Sequence, residues 1–306
     1  MSEKKIGVLM GGPGAEREVS IRTGAGVLAA LIERGHEAVS VTWNDGDDIA
    51  ELLRREKIEI VWNAMHGTYG EDGAVQGLLE CLKIPYTGSG VAASALAMDK
   101  VVSKILFERA GVPTPAWRVI GPDDDPTAAA AAIGYPLVVK PAAEGSTVGI
   151  SIVRAPAGLG AALIEARRHR GAAIVEKFIA GSEISVGILD GVALDTVEIR
   201  PKSGFYDYEA KYESEDTDYL VPAPLSPDID RVVRNAAVAM YRVLGCSAHA
   251  RADFRIDEAG KAWALEVNTL PGMTAHSLLP KIAAHAGMDY GTLVERVLAT
   301  AKVFNA

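Results

Sequence analysis

Short apolar runs alternate with helical patterns at the start of this chain, and that rhythm restricts its fold more than any other feature. Residues 6–10 read as a buried strand that runs into Gly11, Gly12, Pro13 and Gly14. A helical pattern spans Val19 to Glu33. A strand at 38–42, a helix at 47–56, a strand at 58–64 and a helix at 73–82 follow. This βαβα order implies a parallel sheet with helices on both faces, filling roughly the first 95 residues.

At 306 residues the chain exceeds one ordinary core, so two or three domains are expected. A helix at 99–110, closed by Gly111-Val112-Pro113, leads into a second unit. There Leu137–Lys140 reads as a strand, 141–146 as a loop, Gly149–Val153 as a strand, 157–170 as a helix and 173–176 as a strand. Past Gly181 the pattern is strand-rich. Residues 202–222 lack clear periodicity, and so long a loop in a compact domain is usually functional, such as a lid.

Two candidate strands near the other end, 248–256 and 261–267, flank a turn at Asp257-Glu258-Ala259-Gly260. Alternation puts Ala250, Ala252, Phe254 and Ile256 on one face of the first strand and Arg251, Asp253 and Arg255 on the other. On the second strand Trp263, Leu265 and Val267 are apolar, while Glu266 and Asn268 point opposite. If 256 pairs with 261, then 251 lies opposite 266, and both polar sets share a face. Arg251, Asp253, Glu266 and Asn268 on one face suit magnesium held together with phosphate oxygens, with an arginine for developing charge. A solvated face carrying surface ion pairs fits the same pattern, and a one-residue slip would spoil the geometry.

Lys140 ends a Val-Val-Lys strand before Glu144-Gly145-Ser146-Thr147-Val148-Gly149, where glycine backbone and hydroxyl donors can approach phosphate. It is not a P-loop, because Gly-Lys-Ser/Thr is absent. Gly12-x-Gly14 begins like a dinucleotide fingerprint, but Arg17 stands where the third glycine belongs, which disfavours a Rossmann oxidoreductase.

A net charge of -9 without a basic cluster argues against nucleic acid as the main partner. The two cysteines, Cys81 and Cys246, form no Cys-x-x-Cys pair and are expected as plain core residues in a reducing compartment. No signal-peptide pattern opens the chain, and no apolar run nears the roughly 20 residues that span a bilayer, so a cytoplasmic location is expected.

Taken together, the motifs resemble the D-alanine–D-alanine ligases of the ATP-grasp superfamily. The matching segments are Gly-Gly-Pro-Gly-Ala-Glu-Arg-Glu-Val-Ser (11–20), His-Gly-x-x-Gly-Glu-Asp-Gly (66–73), Tyr-Thr-Gly-Ser-Gly (86–90) and Met-Asp-Lys (98–100). Val-Lys-Pro (139–141), Glu-Gly-Ser-x-Val-Gly (144–149), Phe-Tyr-Asp-Tyr-Glu-Ala-Lys-Tyr (205–212) and Glu-Val-Asn-Thr-Leu-Pro-Gly-Met-Thr (266–274) follow in order. The resemblance covers essentially the whole chain.

It implies an ATP-grasp architecture: an N-terminal parallel α/β substrate domain (1–96), then central (97–181) and C-terminal (182–306) α+β domains that clamp ATP, with a lid at 202–222. It also implies that a first D-alanine carboxylate attacks the ATP γ-phosphate, and that the amine of a second D-alanine attacks the resulting acyl phosphate. The product is a dipeptide for peptidoglycan. By motif position, Asp253, Glu266 and Asn268 would hold the magnesium ions, two per site, and Arg251 would contact the transferring phosphate. Lys100 and Lys140 would bind ATP phosphates, and Lys211 would reach phosphate from the lid. Lys177, Glu176 and Ile179 would lie by the adenine, and Glu183 by the ribose.

Glu16 would bind the first D-alanine ammonium, with Ser146 and Tyr212 joined to it, and His66 would lie near that substrate. Ser277 and Leu278 would cradle the second carboxylate, and Gly272 would offer an oxyanion N–H. His249 and His276 are left as structural. Relatives are commonly dimers, so a homodimer is expected. Pro13-Gly14 stands where many relatives show Thr-Ser. The alternatives are a ligase making D-alanyl-D-lactate or D-alanyl-D-serine, a ligase for other carboxylate and amine partners, and a non-catalytic nucleotide-binding relic.

Overall fold

Strand β1 (Ile6–Gly11) is buried along its whole length because parallel strands flank it on both sides. In this computed structural model, which describes residues 4–121, 124–145, 147–169, 171–201 and 217–304, β1 pairs with β2 (Ala38–Trp43) and β3 (Ile60–Asn63). Helices α1 (Arg17–Glu33), α2 (Ile49–Arg55) and α3 (Ala74–Leu82) make the crossovers. Side-chain alternation sorts the two faces. Ile6, Val8 and Met10 pack with Val27 and Leu31 of α1, while Leu9 packs with Leu53 of α2 and Leu79 of α3. The expected doubly covered parallel sheet is therefore present.

Two further helices, α4 (Val91–Met98) and α5 (Lys100–Arg109), lead out of this unit. Asp99 caps α5, its carboxylate accepting from the backbone of Val101 and Val102. A four-stranded antiparallel sheet follows in the order β4-β7-β5-β6. It is built from β4 (Trp117–Ile120), β5 (Leu137–Pro141), β6 (Ser151–Val153) and β7 (Ala173–Lys177). Helices α6 (Pro126–Ile133) and α7 (Leu159–Ala166) cover one face.

The third sheet has five antiparallel strands in the order β10-β9-β8-β11-β12. These are β8 (Ser182–Leu189), β9 (Val192–Pro201), β10 (Thr217–Leu220), β11 (His249–Ile256) and β12 (Ala262–Asn268). Helix α8 (Pro227–Val243) lays Val233, Ala237 and Met240 on its inner face, against Ala250, Ala252, Phe254 and Ile256. Phe107 of α5 joins the same core. Each large side chain buried there contributes roughly 1.5–3 kcal/mol.

Helices α9 (Leu278–His285) and α10 (Tyr290–Ala299) return to the first sheet, where Leu293, Val294 and Val297 complete the α1 face. Lys302 then pairs with Tyr86, which itself bridges Val61 of β3.

Three expectations need correction. Residues 217–220 are not loop but strand β10, because Thr217–Leu220 finds a ladder partner in Glu198–Pro201. The rest of the expected lid up to 216 lies outside the described residues. Cys81 is exposed, on the outer face of amphipathic α3, whereas Cys246 is mostly buried, which pushes its thiol up to about 12. Helices α4 and α6 and strand β4 escaped the periodicity reading, being short and rich in alanine or cut by turns.

Candidate active site

The second and third sheets turn their uncovered faces toward a cleft of about 420 Å³. On β5, Leu137 and Val139 enter the core while Val138 and Lys140 line the cleft. On β11, the even-numbered apolar residues are buried while Arg251, Asp253 and Arg255 line the cleft.

The β11–β12 register differs from the simple hairpin expectation. Ile256 pairs with Ala262, and Phe254 with Ala264. The ladder then shifts at a bulge, so that Asp253 lies opposite Glu266 and Arg251 opposite Asn268. Continued regularly, the ladder would set Leu265 against Asp253 and turn Glu266 toward the core. Leu265 is the extra residue that restores parity, and it and Glu266 both line the cleft. The shared polar face was legible in the alternation; the bulge that creates it was not.

Asp253 is the centre of this face and only 7% exposed. Arg251 grips it with two bonds, Nε to Oδ1 at 2.8 Å and Nη2 to Oδ2 at 2.7 Å. Ser185 Oγ donates to Oδ1 at 2.6 Å, and Asn268 Nδ2 to Oδ2 at 2.9 Å. Glu266 Oε2 lies 3.4 Å from the Lys100 ammonium, which also donates to the Glu144 carbonyl at 2.5 Å. Lys100 and Glu266 also border a smaller cavity shared with Glu71, Glu144 and Asn268.

Lys140 donates to Glu176 Oε1 at 2.6 Å, inside the fold. Burial would raise the Glu176 carboxyl, but the ammoniums of Lys104 and Lys140 outweigh it and hold the carboxyl down at about 2. Next to Glu176, Lys177 donates to the carbonyls of Gly134 and Tyr135 at 3.0 Å each. Ile179 and Glu183 line the cleft beside it. Arg255 ties this end together, donating to the carbonyls of Ile179 and Gly181 and pairing with Glu183 at 3.3 Å. Glu198 accepts from Ser182 at 3.0 Å and Arg200 at 2.7 Å on the β9 wall.

The remaining candidates stand apart from the lining of both cavities. His66 is buried and shares a 2.9 Å hydrogen bond between Nε2 and Thr23 Oγ1, with its Nδ1 3.8 Å from Glu71. Glu16 sits at the start of α1, its carboxylate filling the space beside Gly67 and facing Gly145. Ser277 Oγ accepts from the Thr274 backbone N–H at 3.1 Å and lies where a Cβ on Gly272 would stand. Leu278 opens α9 with its side chain buried against Ile199 and Ile282, which leaves only its backbone for a ligand. Ser146, Lys211 and Tyr212 lie outside the described residues.

Asp253, Glu266 and Asn268 offer hard oxygen donors, two of them anionic, which fits magnesium completed by phosphate oxygens. Among the described residues no three His, Cys, Asp or Glu side chains gather as a metal site, so a closed transition-metal centre finds no ligands. Sequence reasoning missed Lys104, Glu198 and Arg200, and it gave Arg255 no role. Only Lys104 carried a signal, its spacing of one helical turn from Lys100.

Two family models match the chain: D-ala D-ala ligase N-terminus over residues 44–89 and D-ala D-ala ligase C-terminus over 106–299. A D-alanine–D-alanine ligase of Geotalea uraniireducens is 49% identical over 302 residues, covering 98% of this chain and 96% of its own. One of Syntrophotalea carbinolica is 48% identical over 303 residues, covering 99% and 98%. The crystal structure of a Bacillus anthracis D-alanine–D-alanine ligase complexed with ATP superposes with a TM-score of 0.87 at 38% identity, covering 98% of this chain and 97% of its own.

Proposed function

The chain belongs to the D-alanine–D-alanine ligase family, with its ATP-grasp fold and ATP-dependent ligase activity, and from that premise we propose that it joins two D-alanine molecules through a D-alanyl phosphate. The observation that carries this reading is the single cleft wall on which Arg251, Asp253 and Glu266 meet Lys100 and Lys140. A carboxylate is a poor acyl donor, and phosphorylation gives it a leaving group. Anionic oxygens then need cations on several sides, and this wall supplies them.

In this reading ATP lies in the cleft, its adenine beside Glu176, Lys177 and Ile179 and its ribose near Glu183. Lys100 and Lys140 bind phosphate oxygens. Asp253, Glu266 and Asn268 hold magnesium, which neutralises charge on the β- and γ-phosphates. Arg251 leaves Asp253 for the transferring phosphoryl group. Glu16 pairs with the first D-alanine ammonium, with Ser146 and Tyr212 beside it and His66 behind it. The start of α9, with Ser277 and the Leu278 backbone, faces the second carboxylate, and Gly272 N–H the oxyanion. A helix N-terminus suits an anion. Lys211 adds charge at the phosphate. Three units, 1–96, 97–181 and 182–306, a homodimeric state, a cytoplasmic location and a supply of dipeptide to peptidoglycan complete the proposal. Among the described residues no helix is long and apolar enough to cross a membrane.

The test is phosphate release from ATP and Mg²⁺ with D-alanine, L-alanine, or D-alanine plus D-lactate, with products identified by mass. Phosphate matched by D-alanyl-D-alanine is the expected result. A depsipeptide from the mixed reaction at neutral pH would reassign the acceptor, and ATP binding without turnover on any of these would overturn the ligase reading.

A further inference from the structure

Lys104 is 0% exposed on α5, one helical turn beyond Lys100. Its ammonium lies 2.8 Å from Glu176 Oε2 and donates to Thr114 Oγ1 at 2.7 Å. The Glu176 contact is an ion pair off the hydrogen-bond axis, because the aligned donor is directed at Thr114. Thr114 in turn donates to the carbonyl of Ala264, the residue before the Leu265 bulge. One ammonium thus touches or reaches three parts of the site: the helix of Lys100, the strand of Glu176 and the strand of Glu266.

Burying three charges is expensive, and an apolar trio of similar size usually serves stability as well or better. The arrangement is explained by its charge. Glu176 with Lys140 alone would be a neutral pair, and Lys140 would have little field left for a phosphate. With Lys104 the trio carries one net positive charge, and of its two lysines only Lys140 lines the cleft.

We propose that Lys104 is a positioning residue for ATP: it neutralises Glu176 from behind so that the charge of Lys140 stays available to a phosphate oxygen. The proposal rests on the reading of the cleft as the ATP site. Burial drives the Lys104 ammonium down to about 8, with the Glu176 carboxylate opposing, so it is charged at neutral pH.

The test compares Lys104→Met with the double variant Lys104→Met/Glu176→Gln by calorimetry with ATP and with adenosine, beside steady-state kinetics. Lys104→Met should weaken ATP about tenfold and leave adenosine within about twofold, the effect of one charge across a half-wet cleft. KM for ATP should rise with kcat little changed. The double variant, with no carboxylate to neutralise Lys140, should recover ATP affinity to within about threefold of the unaltered protein. ATP and adenosine weakened alike, or a double variant weaker than the single, would reduce Lys104 to a structural residue and overturn the proposal. If Lys104→Met does not fold, the double variant decides alone, and a tenfold loss of ATP affinity there sinks the idea. Dipeptide synthesis by the unaltered protein tests the ligase reading separately, since nucleotide binding is measured without it.

Discussion

Asp253 stands directly opposite Glu266 across two antiparallel strands, and Leu265 is the surplus residue in the ladder that lets the two carboxylates share a face. Without a ligand, Asp253 accepts four hydrogen bonds, two of them from Arg251, so that arginine occupies the charge a cation would compensate. Binding of metal and nucleotide therefore has to exchange one positive partner for another.

Glu266→Gln should lower ATP-dependent phosphate release at least a hundredfold, the order seen when one electrostatic partner of a transition state is removed. Its melting temperature should hardly move, because Glu266 is partly exposed. Asp253→Asn should lose turnover as well and also melt earlier. Its amide would turn an N–H₂ toward donors the carboxylate now accepts, at a cost of roughly 1–3 kcal/mol. Phosphate release and thermal unfolding on the same preparations check both, and normal turnover in either variant would remove the metal assignment. Chelating divalent ions should silence the unaltered protein and leave it folded.

Gly67→Ala should raise the KM for D-alanine with little effect on ATP affinity. Gly67 has φ +63°, and a Cβ there would run into the Glu16 carboxylate. Displacing that group by about 1 Å can cost up to a hundredfold in rate. An unchanged KM for D-alanine would argue that Glu16 does not hold the substrate.

The polar face, the phosphate-side lysines and the alternation that builds β11 were legible because each is local and periodic. The charge set around Glu176 was not. Lys104 reads as one more lysine in a helix, and its partner lies 72 residues away, at a distance only folding closes. The Leu265 bulge was hidden too, since nothing in the spacing of residues 262–268 marks an extra residue in the ladder. The start of α9 could be named only from the family, because its Ser277–Leu278 pair looks like any helix cap.

His249 should make stability depend on pH. It is buried, its Nδ1 has no hydrogen-bond partner, and burial, helped by the charge of His66, pushes it down to about 4. A folded value below the unfolded 6.5 means that the contribution is present above about 6.5 and is lost as pH falls toward 4. Between pH 7 and pH 5 the loss should be roughly 2 kcal/mol. Urea unfolding of the protein and of His249→Gln at both pH values isolates it, and equal slopes would refute it.

Gly181→Ala should destabilise the join between β7 and β8 by several kcal/mol. Its φ is +126°, a region nearly closed to other residues, and a Cβ would overlap the Ile256 carbonyl. A melting temperature within a degree of the unaltered protein would contradict the geometry.

Lys302 pairs with Tyr86 at the border of the first sheet, and α10 supplies half of the α1 core. The earliest residues to leave a ribosome therefore lack their partners until nearly three hundred others have followed. A nascent chain must carry an unfinished hydrophobic surface through most of its own synthesis, so its exposure to aggregation or to chaperones is set by the last thirty codons, not the first hundred.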